Sequence, residues 1–227
     1  MTDPRPADRP RDELRRAAEV MHDVRDRCVW TQGIDHAALV PYLIEESHEV
    51  IEAIEAGDRA ELREELGDLL WQVLFHAEIA SRDEDPFDID DIAGDLADKM
   101  VRRHPHVFAG EIATTPEEVL VHWNAAKAAE KRTRRSVLDG VPRSMPSLAL
   151  AQKILGRADA VGVAAEPGGA AEPGGAVGGE SELGDALLAL VARARIEGWD
   201  AERALRTRIR ALESEIRAAE AGAADLG

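Results

Sequence analysis

The sequence predicts an all-α protein built as a helical bundle. Ala, Leu, Glu and Arg dominate its 227 residues and aromatic residues make up only 4%, a balance that favours helices over strands. Apolar residues recur at helical spacing through most of the chain. Glycine, proline and aspartate divide that pattern into segments of ordinary helix length. Hydrophobic residues make up 44%, enough for a core in one large domain or two small ones.

The first elements follow from this spacing. Residues 1–10 are Pro-rich and predicted to form a disordered leader, and residues 28–36 are predicted as a loop broken at Gly33. The second helix is predicted to end at Gly57. Asp58 is predicted to cap the third helix, with Glu61 as its capping-box partner. The predicted helices cover residues 11–27, 37–56, 58–82, 89–103, 116–132, 147–162, 182–197 and 201–219.

The chain also divides into regions of different composition. A helical domain is predicted for residues 11–135, followed by a connector and short helix at 136–163. Residues 164–181 are rich in Gly and Pro, contain AEPGG twice, and predict a flexible linker. Residues 182–222 predict a further helical pair.

Charge and cysteine content exclude several classes of function. The formal net charge of −17 argues against binding to nucleic acid or to an anionic membrane surface. Cys28 is the single cysteine, so no internal disulfide is expected, which suits a reducing cytoplasm. No apolar stretch is long enough for a membrane span, and the N-terminus lacks the apolar core of a signal peptide. We therefore expect a cytoplasmic protein.

Four acids are mirrored about the predicted turn at Gly57. Glu49 precedes that glycine by eight residues and Glu65 follows it by eight, while Glu46 and Asp68 lie eleven residues to either side. In an antiparallel helical hairpin each pair lies at nearly the same height. The i, i+3 spacing within each helix places both of its acids on one face. The spacing predicts four convergent carboxylates.

Convergent carboxylates repel one another unless a cation lies between them. Hard divalent cations prefer oxygen ligands, which favours Mg²⁺, with Mn²⁺ as a substitute. Such a site would hold a polyphosphate and activate a water to attack it. Acids on Glu-rich helices are, however, often merely solvated, and the spacing alone leaves both interpretations open.

The acidic pattern and several neighbouring segments resemble the MazG-type nucleoside triphosphate pyrophosphohydrolases. The pattern reads Glu45-Glu46-x-x-Glu49 and then Glu65-x-x-Asp68. The segments "ELGDLLWQVLFHAEIA", "RRHPHVFAG", "EEVLVHWNAAKAAEK" and "LDGVPRSMPSLALAQKI" follow in the family's order, and the resemblance extends from about Leu14 to Gly162.

The resemblance implies an all-α fold, an intertwined homodimer and Mg²⁺-dependent hydrolysis of nucleoside triphosphates to monophosphate and pyrophosphate. It assigns metal binding to Glu46, Glu49, Glu65 and Asp68, with Glu45 assisting, and the proton acceptor is expected among Glu45, Glu46 and Glu49. The expected nucleotide contacts are Lys99, Arg102, Arg103, Trp123 and Lys127, together with Trp30 and Gln32 from the loop before the acids.

A second, incomplete copy of the acidic unit follows the glycine-rich tract. "SELGDALLALVARA" resembles "EELGDLLWQVLFHA" but retains only Glu182 and Asp185, without the paired acids upstream. We expect this degenerate half-repeat to serve packing or dimer stability and not catalysis. Two alternatives remain at this point: a weakly active nucleotide-binding or regulatory module that docks a partner protein, and a purely structural bundle.

Overall fold

The computed structural model describes residues 12–130, 135–163 and 178–224. Throughout these ranges the regular elements are helices, which confirms the all-α class. They are α1 (Glu13–Arg27), α2 (Val29–Gln32), α3 (His36–Ala56), α4 (Arg59–Ala80), α5 (Ile89–Arg103), α6 (Pro105–Phe108), α7 (Pro116–Glu130), α8 (Ser147–Ala158), a 3-10 turn (Asp159–Val161), α9 (Glu180–Ile196) and α10 (Ala201–Ala224). The predicted leader and most of the predicted glycine-rich linker lie outside the described residues.

The chain forms two compact units, residues 1–130 and 131–227. The first is organised around the antiparallel hairpin of α3 and α4. Gly57 adopts a left-handed conformation with φ of 73° and ends α3, while the Asp58 side chain accepts hydrogen bonds from the backbone of Ala60 and Glu61 at the start of α4. The predicted turn and its cap are therefore present. The reciprocal capping box that was expected with Glu61 occurs instead at Asp88 and Asp91 of α5.

The core of the first unit lies at the end of the hairpin away from Gly57. There α1 packs across α4, and the buried cluster consists of Met21, Leu39, Leu74, Phe75 and Ile79. Burial of these side chains provides the main stabilisation of the unit. Thr31 closes the neighbouring segment by donating its hydroxyl to the backbone oxygens of Val24 and Cys28.

Two segments outside the predicted helices contain short helices. The predicted loop at 28–36 includes α2, and the segment after α5 includes α6, in which Pro105 occupies the first turn. A single turn is too short to show periodicity in a sequence. Helix ends otherwise differ from the predictions by a few residues, and α10 extends five residues further, to Ala224.

The apolar stripes of the hairpin do not all face each other. Leu39 is 1% exposed, but Leu43, Ile54, Leu66 and Val73 retain between 37% and 57% of their accessible surface. These residues do not form a closed apolar seam between α3 and α4 within the single chain. Acidic and amide side chains occupy part of the contact between the helices, and the apolar residues beside them face outward.

The second unit contains α8, α9 and α10, with Leu155, Val191 and Ala194 buried. The Gln152 side chain joins α8 to the start of α10, since its amide donates to the carbonyl of Trp199 and its oxygen accepts from the backbone of Ala201. Across the described parts of both units, no helix combines the length and apolarity needed to span a membrane.

Replacing Gly57 by alanine should destabilise the first unit by about 1 kcal/mol, because an L-residue is strained at the left-handed φ of 73°. Gly67 is the matched control. It lies inside α4, where an added Cβ would meet open space, so alanine there should stabilise by about 0.5 kcal/mol. Chemical denaturation measures both free energies. If both substitutions changed the free energy of unfolding by the same amount in the same direction, the left-handed conformation assigned to Gly57 would be wrong.

Acid should weaken the packing of His76 against His36. The two Nδ1 atoms lie 2.7 Å apart in nearly parallel rings, so one imidazole must be neutral to accept the hydrogen bond. Burial lowers the pKa of His76, and neighbouring His36 lowers that pKa further. As the pH falls, His76 therefore takes up a proton at a higher pH in the unfolded chain than in the folded chain. The free energy of unfolding should thus fall as the pH drops below about 6.5.

The variant His76→Gln removes this titration, so its urea midpoint should fall less than that of the wild type between pH 7.5 and pH 5. His22 acts in the opposite sense. Its hydrogen bond to Glu78 raises the pKa of His22, which adds stability at low pH that is lost as the pH rises through the folded pKa. The contribution of His22 is the same in the wild type and in His76→Gln, so it cancels when their urea midpoints are compared. Identical pH slopes would contradict the prediction.

Candidate metal and nucleotide site

Three acids from the two arms of the hairpin converge. Glu46 and Glu49 of α3 and Glu65 of α4 each bring one carboxylate oxygen within 4.8 Å of the other two. The capped turn at Gly57 fixes the height of α4 against α3, and the helical spacing sets the direction of each side chain. Glu46 and Glu65 are half-buried, whereas Glu49 is exposed. The cluster is therefore partly enclosed and open on one side.

Asp68 lies outside that close group but belongs to the same electrostatic cluster. Burial raises the pKa of Glu46, and the charges of Asp68 and then Glu49 raise it further. Burial likewise raises the pKa of Glu65, followed by the charges of Glu49 and Asp68. The strongest charged neighbour of Glu46 is thus Asp68, and that of Glu65 is Glu49, which is the pairing expected from reflection about Gly57.

The donor set suits a hard divalent cation. All of the convergent groups are carboxylates. Burial raises the pKa values of Glu46 and Glu65, and repulsion from the neighbouring acids raises them further. A cation between them would lower this repulsion. Mg²⁺ binds carboxylate oxygens together with waters and phosphates, so the residues present fit this ion.

Gln72 of α4 contacts this cluster and was missed in the sequence. Its side chain is 5% exposed, and its Nε2 donates to Oε1 of Glu46 across 3.4 Å. The spacing contained a signal, because Gln72 follows Asp68 by four residues and Glu65 by seven, which places all three on one face of the helix. Its amide carries no charge, so a pattern defined by acids does not include it.

The acids flanking the cluster are more exposed. Glu45 and Glu64 both face solvent. Glu45 still contributes, since its charge is the weakest of those that raise the pKa of Glu46. Its position fits an assisting role, while Glu64 belongs to the outer surface of α4.

The basic residues of α5 lie in a second group with α7. Arg103 donates to Oε2 of Glu130 from Nη2 at 2.6 Å and from Nε at 3.1 Å, and Arg102 approaches the other oxygen at 3.5 Å. The Arg103 guanidinium also lies 5.0 Å from the ring centroid of Trp123. The arginines lower the pKa of Glu130, chiefly through the hydrogen bond from Arg103. Sequence spacing could not reveal this pairing across 27 residues.

The other residues predicted to contact the nucleotide differ in exposure and in their neighbours. Lys99 and Lys127 are half-buried on α5 and α7. Trp30 is 54% exposed and makes edge contacts with Tyr42 and Phe75 at centroid distances of 6.2 and 6.4 Å. Gln32 is exposed and donates its amide to the backbone oxygen of Asp26. Trp30 thus offers an accessible aromatic surface, while Gln32 is engaged with its own segment.

The predicted degenerate half-repeat has its two acids, Glu182 and Asp185, near the start of α9. Glu182 accepts a hydrogen bond from the backbone of Gly178 at 2.6 Å, and Asp185 is exposed. Glu182 is thus occupied as an acceptor near the helix N-terminus, where a negative charge is favourable. Among the described residues, clusters of three or more potential ligands are confined to the first unit.

Comparisons with known proteins identify the family of this chain. Residues 34–108 match the MazG nucleotide pyrophosphohydrolase domain, a span that contains α3, α4 and all four mirrored acids. An uncharacterized 26.1 kDa protein of Streptomyces cacaoi is 47% identical, with 94% of this chain and 85% of that protein covered. The nucleoside triphosphate pyrophosphohydrolase of Escherichia coli K12 is 37% identical, with 92% and 86% covered.

A further relative has the same name. The nucleoside triphosphate pyrophosphohydrolase of Mycobacterium tuberculosis is 41% identical, and the aligned region covers 83% of this chain and 58% of that protein. The similarity to the Escherichia coli enzyme extends over nearly the whole of both chains. The chain therefore belongs to the MazG family of nucleotide pyrophosphohydrolases, a family of hydrolases.

Proposed function

We propose that this protein hydrolyses nucleoside triphosphates, ribo or deoxy, to the monophosphate and pyrophosphate with Mg²⁺ as cofactor. The observation that carries the proposal is the convergence of Glu46, Glu49 and Glu65 from both arms of the hairpin. The names of the Escherichia coli and Mycobacterium tuberculosis relatives support the same reaction. Mn²⁺, which accepts similar oxygen ligands, is expected to replace Mg²⁺.

The four mirrored acids, Glu46, Glu49, Glu65 and Asp68, would hold the cation. When bound, Mg²⁺ polarises phosphate oxygens and lowers the pKa of water. The attacking water adds to the α-phosphorus, and the bond to the bridging oxygen of the pyrophosphate breaks. The water proton passes to a carboxylate, for which the exposed Glu45 and Glu49 are better placed than the half-buried Glu46.

The cation-rich group on α5 and α7 is proposed to bind the phosphates. Lys99, Arg102 and Arg103 supply the positive charge that a triphosphate needs beyond its metal. Arg103 is held by Glu130 and Trp123, so a phosphate must replace or share the Glu130 contact. Lys127 and Trp123 lie on α7, the helix that also carries Glu130.

The base is proposed to contact aromatic surface near α3. Trp30 exposes about half of its surface beside Tyr42, which lies one helical turn before Glu46. Gln32 is the polar candidate in the same segment, provided that its amide leaves the Asp26 carbonyl. Stacking is tolerant of base identity, which suits an enzyme that acts on several nucleotides in housecleaning of the cytoplasmic pool.

The outward apolar residues of the hairpin support a homodimer. Val40, Leu43, Ile44 and Ile54 of α3 and Leu66 and Val73 of α4 are exposed, each by 37% or more. Several large apolar side chains on one hairpin are typical of a surface that another chain covers. A second copy of this chain, placed against α3 and α4, would bury them beside the acids.

A second candidate function is a catalytically weak module that binds nucleotides or docks a partner protein. The incomplete set of acids on α9 favours it, while the complete acid motif of the first unit, of which three carboxylates converge, favours the enzyme. One assay separates them: the purified protein with Mg²⁺ and a panel of nucleoside triphosphates, followed for monophosphate and pyrophosphate. Turnover supports the enzyme, and tight binding without turnover supports the module. The absence of both turnover and binding supports a purely structural bundle.

The variants Glu46→Ala and Glu49→Ala should each lower Mg²⁺-dependent pyrophosphate release by at least about 100-fold, because each removes a carboxylate from the cation site. Glu64→Ala is the control, since Glu64 is an exposed acid of the same hairpin outside the cluster. Far-ultraviolet circular dichroism should show unchanged helix content in all three. Full activity of both cluster variants would refute the site.

The dimer should appear in light scattering as twice the mass of one chain. Ile54→Glu should shift it to the monomer, because a charge at this 57%-exposed apolar position opposes burial against a partner. Ile112→Glu changes an 80%-exposed isoleucine outside the hairpin and should leave the dimer intact. A monomeric wild type, or equal behaviour of the two variants, contradicts this interface.

A further inference from the structure

One polar side chain at the acid cluster is buried without full hydrogen bonding. Gln72 is 5% exposed and lies on the face of α4 that carries Glu65 and Asp68. Its Nε2 donates to Glu46, but its Oε1 is fully buried and has no hydrogen-bond partner. A buried carbonyl without a partner is unfavourable, and an apolar side chain of the same length would avoid that cost. Packing alone therefore gives no reason for an amide here.

The orientation of this amide follows from its surroundings. Oε1 of Glu46 lies 3.4 Å from Nε2. The reversed orientation would direct the amide oxygen at a carboxylate oxygen, and two acceptors repel each other. Nε2 of Gln72 thus faces Glu46, and Oε1 of Gln72 has no hydrogen-bond partner among the described protein atoms.

We infer that Gln72 is a positioning residue that holds the Glu46 carboxylate in the orientation needed to bind the divalent cation. Glu46 is half-buried among like charges, and its side chain would turn away from Glu49 and Glu65 without a donor on the α4 side. This role rests on the proposed function, because it requires that the acids bind metal.

Groups that orient metal-binding side chains change metal affinity typically by 10–100-fold when they are removed. The test is therefore Mn²⁺ binding to the whole protein without nucleotide, measured by electron paramagnetic resonance and by calorimetry. Gln72→Met keeps the length and approximate volume of the side chain and removes the donor. We expect its Kd for Mn²⁺ to rise about 10-fold, while its unfolding temperature without metal stays equal to that of the wild type or rises.

Leu74→Ala is the matched control for a purely structural effect. Leu74 has the same 5% exposure two residues further along α4, but it belongs to the apolar core. Its truncation should lower the unfolding temperature and leave the Kd for Mn²⁺ within about twofold of the wild type. The inference is overturned if Gln72→Met binds Mn²⁺ as the wild type does, or if Leu74→Ala weakens binding as much as Gln72→Met.

The wild type and Glu46→Ala separate this inference from the proposed function. If the wild type binds Mn²⁺, Glu46→Ala does not, and Gln72→Met is unchanged, only the role of Gln72 is refuted. If the wild type itself binds no Mn²⁺, the proposed metal site fails, and the role of Gln72 fails with it. At saturating Mn²⁺ the KM of Gln72→Met for nucleotide should equal that of the wild type, because the residue acts through the metal site.

Discussion

The mutual repulsion of carboxylates between α3 and α4 is the constraint on which the first unit depends. Four acids within one hairpin oppose its closure, and burial together with the charges of the neighbouring acids raises the pKa values of Glu46 and Glu65. The hairpin is nevertheless closed at both ends. The capped turn at Gly57 joins the arms at one end, and the core formed with α1 holds them at the other. Stability and site chemistry are thus separated along the same two helices.

The same constraint explains the outward apolar residues. Where acids and Gln72 occupy the contact between the arms, leucine and valine cannot, and residues such as Leu66 and Val73 turn to the outer surface. The hairpin thus has half-buried acids between its arms and apolar residues that face solvent on its outer surface. The proposed dimer would give those apolar residues the burial that the acids exclude within one chain.

The sequence predicted what depends on short-range geometry. Helix class, the turn at Gly57, the cap at Asp58 and the mirrored spacing of the acids all follow from residues close along the chain. It could not predict which part of an apolar stripe is covered, because periodicity shows that Leu39 and Leu43 lie near one face but not where a partner helix ends. The bond from Arg103 to Glu130 and the contact of Gln72 with Glu46 depend on tertiary packing, and no local pattern encodes them.

The turn at Gly57 has one further consequence. The two halves of the acid cluster are joined by a single left-handed residue and its cap, so the turn also sets their relative rotation. One more residue in helical conformation at the start of α4 would advance every acid of that helix by about 100° around the helix axis and by about 1.5 Å along it. Substitutions in this turn cost only stability, whereas a change in its length would dismantle the cluster. The length of the turn is therefore constrained by the chemistry of the site more tightly than its composition is.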